Sequence, residues 1–172
     1  WQRMDVATGA MKLGMNAPGL AVTLVPRRPA GAWTRSIALF GARPGLLSRT
    51  ATTDPPAISR LNTWTSGSVL ASGPLIPDRL GIVLEGSWTK ATRFERDDST
   101  RLNEKLGSLF SHLVFTPTPQ DEMRFIGWVQ RTRSPFERRI AFGQPDAAEH
   151  ATSVHLQAEW ERQKDADTVW TG

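Results

Sequence analysis

The stretch WTSGSVLASGPLIPDRLGIVLEGSW, from Trp64 to Trp88, reads as two β-strands joined by a polar turn, Gly73-Pro74-Leu75-Ile76-Pro77-Asp78-Arg79. On the second strand Leu80, Ile82, Leu84, Gly86 and Trp88 fall on one face, and Gly81, Val83, Glu85, Ser87 and Thr89 on the other. Side chains alternate sides along a strand, so one face is apolar and the other largely polar. That alternation, held for about ten residues and ending in a tryptophan, fits a strand that crosses a membrane. Pairing about Ile76 would set Trp64 opposite Trp88, two indoles at one level, as in an aromatic girdle.

The pattern recurs on either side. Gly19 to Val25 is a short apolar run, closed by Pro26-Arg27-Arg28-Pro29, where two prolines bar a central strand. Trp33 to Phe40 alternates, with Trp33, Ile37 and Leu39 on one face. Leu106 to Thr116 and Met123 to Thr132 form a second strand pair about the turn 117–121. Trp128 there shares a face with Arg124, Gln130 and Thr132, which sets it apart from a girdle position. Ser153 to Arg162 alternates most cleanly: Val154, Leu156, Ala158 and Trp160 against His155, Gln157, Glu159 and Glu161. A turn over 163–167 leads to a last strand beginning at Thr168. Residues 1–18 have no firm period.

Connections alternate long and short. Segments 41–62, 93–103 and 133–151 are long; turns 73–79, 117–122 and 163–167 are short. Long loops on one rim and short turns on the other mark outer-membrane barrels, and a sandwich has no reason to keep that rhythm. The expected fold is all-β: part of a transmembrane antiparallel up-and-down β-barrel, an open curved sheet of about seven strands.

Composition agrees. Of 172 residues 39% are hydrophobic and 22% charged, with no apolar run of the length a transmembrane helix needs. There is no cysteine, so neither a disulfide framework nor a thiolate metal site can form. The net charge is +4, yet the arginines scatter instead of forming one stripe, which argues against nucleic acid as a partner. The start at Trp1 and the close at Thr171-Gly172, just after an incipient strand, read as the ends of an internal piece of a longer protein.

The segment Ser72-Gly73-Pro74-Leu75-Ile76-Pro77-Asp78-Arg79-Leu80 resembles the first periplasmic turn of TonB-dependent outer-membrane receptors, in the subgroup with a carboxypeptidase-regulatory-like N-terminal domain. Gly19–Val25 resembles the last strand of that subgroup's plug, and Ala32-Trp33-Thr34-Arg35-Ser36 takes the place of its first barrel strand. Order and spacing match over most of residues 15–90. The chain departs in having Pro26-Arg27-Arg28-Pro29 where a Lys-Ser-Gly type turn is usual, and Ala71-Ser72-Gly73 where paired glycines are usual. The resemblance implies the end of a plug domain in residues 1–30 and N-terminal barrel strands in 31–172. It also implies a place in the bacterial outer membrane, contact with its lipid, and import of a scarce ligand such as a metal chelate or an oligosaccharide. Import would be driven through the TonB complex by way of an N-terminal region this sequence lacks.

On that reading Leu80, Ile82, Leu84, Val154, Leu156, Ala158 and Trp160 face lipid on the convex side. Glu85, Gln130, His155, Gln157 and Glu159 face the lumen and are the candidates for ligand contact. Trp64, Trp88 and Trp160 are the girdle candidates. Arg93, Arg96, Arg133, Arg138 and Arg139 form a basic set on the long-loop rim, suited to anionic ligands or lipopolysaccharide phosphates. No cofactor, metal or catalytic motif emerges. His150 and His155, five apart beside Glu149, do not make a closed zinc set. The Glu95, Asp97, Asp98 cluster lacks the ligand ladder of a calcium loop. The competing class is a soluble all-β carbohydrate-binding module, with Trp64, Trp88 and Trp160 as stacking platforms.

Overall fold

A computed structural model describes residues 3–9, 19–43, 60–95, 100–135, 147–164 and 168–171, with the backbone alone for 3–9 and 19–25. Every regular element among them is a strand: β1 (Arg3–Gly9), β2 (Gly19–Val25), β3 (Thr34–Ala42), β4 (Arg60–Ile76), β5 (Leu80–Phe94), β6 (Leu102–Thr118), β7 (Asp121–Pro135), β8 (Ala148–Gln163) and β9 (Val169–Thr171). Strands β3 to β9 form one antiparallel sheet in strict sequence order, an open meander with β3 and β9 at its edges. The first two strands pair separately, Arg3 opposite Val25 through Gly9 opposite Gly19. Strand β1 is a correction to the sequence reading: its residues carry no alternation, and its pairing partner is what makes it a strand.

The long strands outrun their expected bounds. β4 and β6 each run 17 residues, against roughly 9–11 for one crossing. The opening turn shrinks to match, from 73–79 to Pro77-Asp78-Arg79, with Ile76 opposite Leu80. Arg79 N donates to Ile76 O at 3.1 Å, and Asp78 has φ 57°. Proline in the first central position and a positive φ in the second suit a type II turn, and aspartate is one of the few side chains that tolerates that region. Pro74 stays within the strand, opposite Gly81 and next to a register shift, one of the places where a sheet tolerates proline. The next short turn is Pro119-Gln120. Thr118 Oγ1 accepts from the backbone N of Gln120 (3.3 Å) and Asp121 (3.2 Å) and donates to Asp121 Oδ2 (2.7 Å).

The shortened turn overturns the tryptophan pairing. Gly67, not Trp64, lies opposite Trp88, and Trp64 lies opposite Ala91. Pairing therefore centres on the Pro77–Asp78 bond and not on Ile76. The offset is an odd number of residues, and such a slip moves side chains to the other face. Trp64 consequently shares its side with Ser66, Ser68 and Leu70, opposite to Trp88.

The register divides the sheet into two faces. One carries Ile37, Val69, Leu84, Leu109, Val129, Val154 and Leu156, aligned across the strands. Its members are open to solvent: Ile37 is 72%, Val154 66% and Leu156 78% exposed. Leu80, Ile82, Ala158 and Trp160 lie on this face, as the alternation foretold. The other face carries Glu85, His155, Gln157 and Glu159, and residues 26–31 lie across it. There Ala30 N donates to Ser72 Oγ at 2.9 Å, and Pro29 rests on Gly81. Most of the buried side chains lie beneath this crossing, with Ser72, Val83, His112 and Val114 nearly or fully covered. The small core thus sits on the polar side of the sheet.

Candidate functional site

The covered face is built from registered rows. One row runs Ser36, Leu70, Glu85, Phe110, Trp128 and His155; the next runs Ala38, Ser68, Ser87, Ser108, Gln130 and Ser153. The hydroxyls of Ser87 and Ser108 lie 2.8 Å apart, so hydrogen bonds run between strands as well as along the backbone. Above the first row, Pro26 and Arg27 roof a hollow of about 200 Å³, lined also by Leu70, Val83, Glu85, Ser108, Phe110 and Trp128. Among the described residues no hydrogen bond or ion pair engages the Glu85 carboxylate. The hollow combines an acceptor, a hydroxyl and two aromatic walls, groups that recognise a ligand by hydrogen bonding and stacking.

The roof is pinned at its other end. His112, 1% exposed, holds Arg27 O with Nδ1 at 2.9 Å. A carbonyl only accepts, so Nδ1 carries the proton; Nε2 is buried and has no partner among the described residues. Arg28 forms a bidentate pair with Glu122, 2.9 Å on each side. Arg124 then links Glu122 to Glu159 (3.3 Å) and Glu161 (3.0 Å). A chain of alternating charge therefore runs from residue 28 across β7 to β8. Such forked guanidinium–carboxylate pairs fix geometry as well as contributing energy.

The sequence-derived candidates fall on this one face in neighbouring rows. Glu85 lines the hollow itself. His155 ends the same row, three strands away, or about 14 Å at the usual strand spacing. Gln130 lies one row further from the short turns, opposite Ser108. Gln157 Oε1 is 3.5 Å from His155 Nε2. Glu159 is held by Arg124, which makes it part of the ion chain before any ligand arrives. Arg27, His112, Phe110 and the Arg28–Glu122 pair were not foreseen. Register puts Phe110 and His112 on the covered face, but nothing local in the sequence says that residues 26–31 return to cover them.

The girdle candidates separate. Trp160 and Trp88 share the apolar face but lie at opposite ends of it, and Trp64 is on the covered face. Trp33 instead joins Trp160 near the short turns, its indole over Gly73, and Trp88 lies over Gly67. Of the basic rim set, Arg93 points to the covered side and pairs with Glu104 at 3.1 Å. Arg133 points to the apolar side. Arg96, Arg138 and Arg139 lie outside the described residues, as do Asp97 and Asp98. No family model, curated protein or solved structure matches the chain.

Proposed function

We propose that this chain is part of a TonB-dependent outer-membrane receptor, with β3 to β9 as N-terminal barrel strands and residues up to about 30 as the end of its plug. The observation that carries the reading is the division of the sheet: an apolar face left open, and a polar face covered by the segment that leads into β3. In water an open face with Leu156 78% exposed exposes a large apolar area at roughly 25 cal/mol per Å²; against hydrocarbon that penalty disappears. From Leu80 to Trp88 the apolar face of β5 spans nine residues, about 27–30 Å along the strand, which suits a tilted strand in an apolar band roughly 25 Å tall. Residues 26–31 then lie on the lumen side, where a plug's exit must run.

TonB coupling and the ligand class, a metal chelate or an oligosaccharide, come from the resemblance of residues 15–90. The hollow under Pro26 and Arg27 supports ligand contact on the lumen side. It sits where displacement of the plug's end would open or close it. A soluble carbohydrate-binding module is less well supported, because Trp64 does not share a face with Trp88 and Trp160.

The test uses cells that express the full-length gene product. It is expected in the outer-membrane fraction, and protease added outside intact cells is expected to cut between β3 and β4, β5 and β6, or β7 and β8. Recovery from the soluble fraction, or cleavage at residues 77–79 in intact cells, would overturn the assignment.

A further inference from the structure

On β6 to β8 the apolar face ends toward the long connections. The last row that is apolar on every strand is Ile37, Val69, Gly86, Leu109, Val129 and Val154. The next row runs Leu39, Gly67, Trp88, Gly107, Arg131 and Thr152, apolar on β3 and β5 but polar on β7 and β8. The row after that is Lys90 opposite Lys105, Lys105 opposite Arg133, and Arg133 opposite His150. Lys90, Lys105 and Arg133 thus stand as cations directly across from one another on adjacent strands, an arrangement that destabilises a sheet unless an anion lies between them. Among the described residues no carboxylate pairs with them. The acidic side chains at that end of these strands, Glu104 and Glu149, belong by register to the covered face, where Glu104 binds Arg93. The basic row borders a shallow depression of about 760 Å³, which reaches from Trp88 to Thr152. Gly107 leaves its centre clear, since a side chain there would meet nothing within 4 Å.

We propose that Lys90, Lys105, Arg131, Arg133 and His150 bind the phosphorylated headgroups of membrane lipid at the long-connection boundary of the apolar band. The inference rests on the reading of that band as lipid-facing. Its independent content is the occupant. Two lysines and two arginines converge on one depression, and guanidinium forks and ammonium groups are the usual phosphate ligands. By register the basic side chains that border the depression belong to the apolar face, beside exposed Trp88 and one row from exposed Val154. A lipid bound there would lay its acyl chains on the apolar rows and its phosphate on the basic row. A soluble anion would have no use for the adjoining apolar rows.

The chain has no cysteine, so one introduced by Leu156→Cys can carry a single nitroxide. The full-length protein is inserted into phosphatidylcholine vesicles doped with phosphatidic acid and extracted in mild detergent. Retained lipid is read by native mass spectrometry, while the nitroxide's oxygen accessibility reports whether position 156 lies in hydrocarbon. Phosphatidic acid is expected to be retained over phosphatidylcholine. The preference should fall roughly a hundredfold in the triple variant Lys90→Gln, Lys105→Gln, Arg133→Gln, and stay unchanged in Arg79→Gln at the opposite rim. On the unmodified protein it should weaken as salt rises. Unchanged retention in the triple variant, or a salt-independent preference, with the nitroxide in hydrocarbon, overturns the headgroup site and leaves the lipid-facing reading standing. A nitroxide in water overturns both. Equal affinity for inorganic phosphate replaces the lipid with a soluble anion and also overturns the proposal. Should the triple variant fail to insert, the salt dependence of the unmodified protein decides.

Discussion

Leu156 and Gln157 are neighbours in sequence, lie at one depth on β8 and face opposite ways, Leu156 beside Gly127 and Gln157 beside Ile126. They make the sharpest residue-scale comparison. On the proposed lipid-facing reading, Leu156→Arg is expected to cost about 2–4 kcal/mol in folding of the full-length gene product into vesicles, because a charge at mid-bilayer would have to be dehydrated. Gln157→Arg, on the wet side, should cost less than about 1 kcal/mol. Equal costs in a urea titration against vesicles would contradict a lipid-facing position for Leu156. A second residue-scale expectation concerns Arg28 and Glu122. Their pair is well formed, but the Arg28 side chain is 59% exposed, so water screens it. A double-mutant cycle between Arg28→Ala and Glu122→Ala should return coupling of about 0.2–1 kcal/mol. A much larger value would mean that residue 28 is anchored more rigidly than one forked surface pair allows.

Among the elements, the segment 26–31 is the one whose position was hidden. Pro26 and Pro29 announce that it is not a central strand, and that much follows from the sequence. Its path across the covered face depends on contacts far along the chain: Ser72, Gly81, His112 and Glu122. Gly81 offers a direct test, since a Cβ there would come within 2.5 Å of Pro29 Cβ. Gly81→Val should lift the segment, so the Ala30 N–H, now bonded to Ser72 Oγ, should exchange with solvent at least tenfold faster. Gly86→Val is the control, on the same strand but on the opposite face, where an added side chain meets nothing within 4 Å. Hydrogen exchange at Ala30 that responds equally to both would show that Gly81 is not the seat of Pro29. The strands themselves were legible because alternation is local. Their ends were not, since Pro74 and Pro117 look like turn residues yet sit within or beside the ladder at register shifts.

For the molecule as a whole, the open edges of β3 and β9 are decisive. An unpaired edge carries a row of free N–H and C=O groups, and the smallest single-chain barrels close those rows with eight strands. If the proposed barrel reading holds, the 172-residue chain in detergent micelles should associate through these edges, and the full-length gene product should stay monomeric. Light scattering on both would check this; a monomeric short chain would mean that its edges are protected in some other way. The sequence by itself determined the all-β class, the alternation of long and short connections, and which side chains of β5 and β8 share a face. Those properties depend only on the period of two along a strand and on local turn chemistry. Tertiary structure alone decided that Trp64 and Trp88 lie on opposite faces, because register is set by where a turn closes, and a shift of an odd number of residues inverts a strand. It alone revealed the basic row from Lys90 to His150, because those residues come from four strands and become neighbours only when the sheet forms. The hollow beside Glu85 likewise needed both the sheet and its roof, which are joined by contacts between residues as far apart as Arg28 and Glu122. Contacts at that separation leave no periodic trace in sequence, since each partner is chosen by the other's position in space.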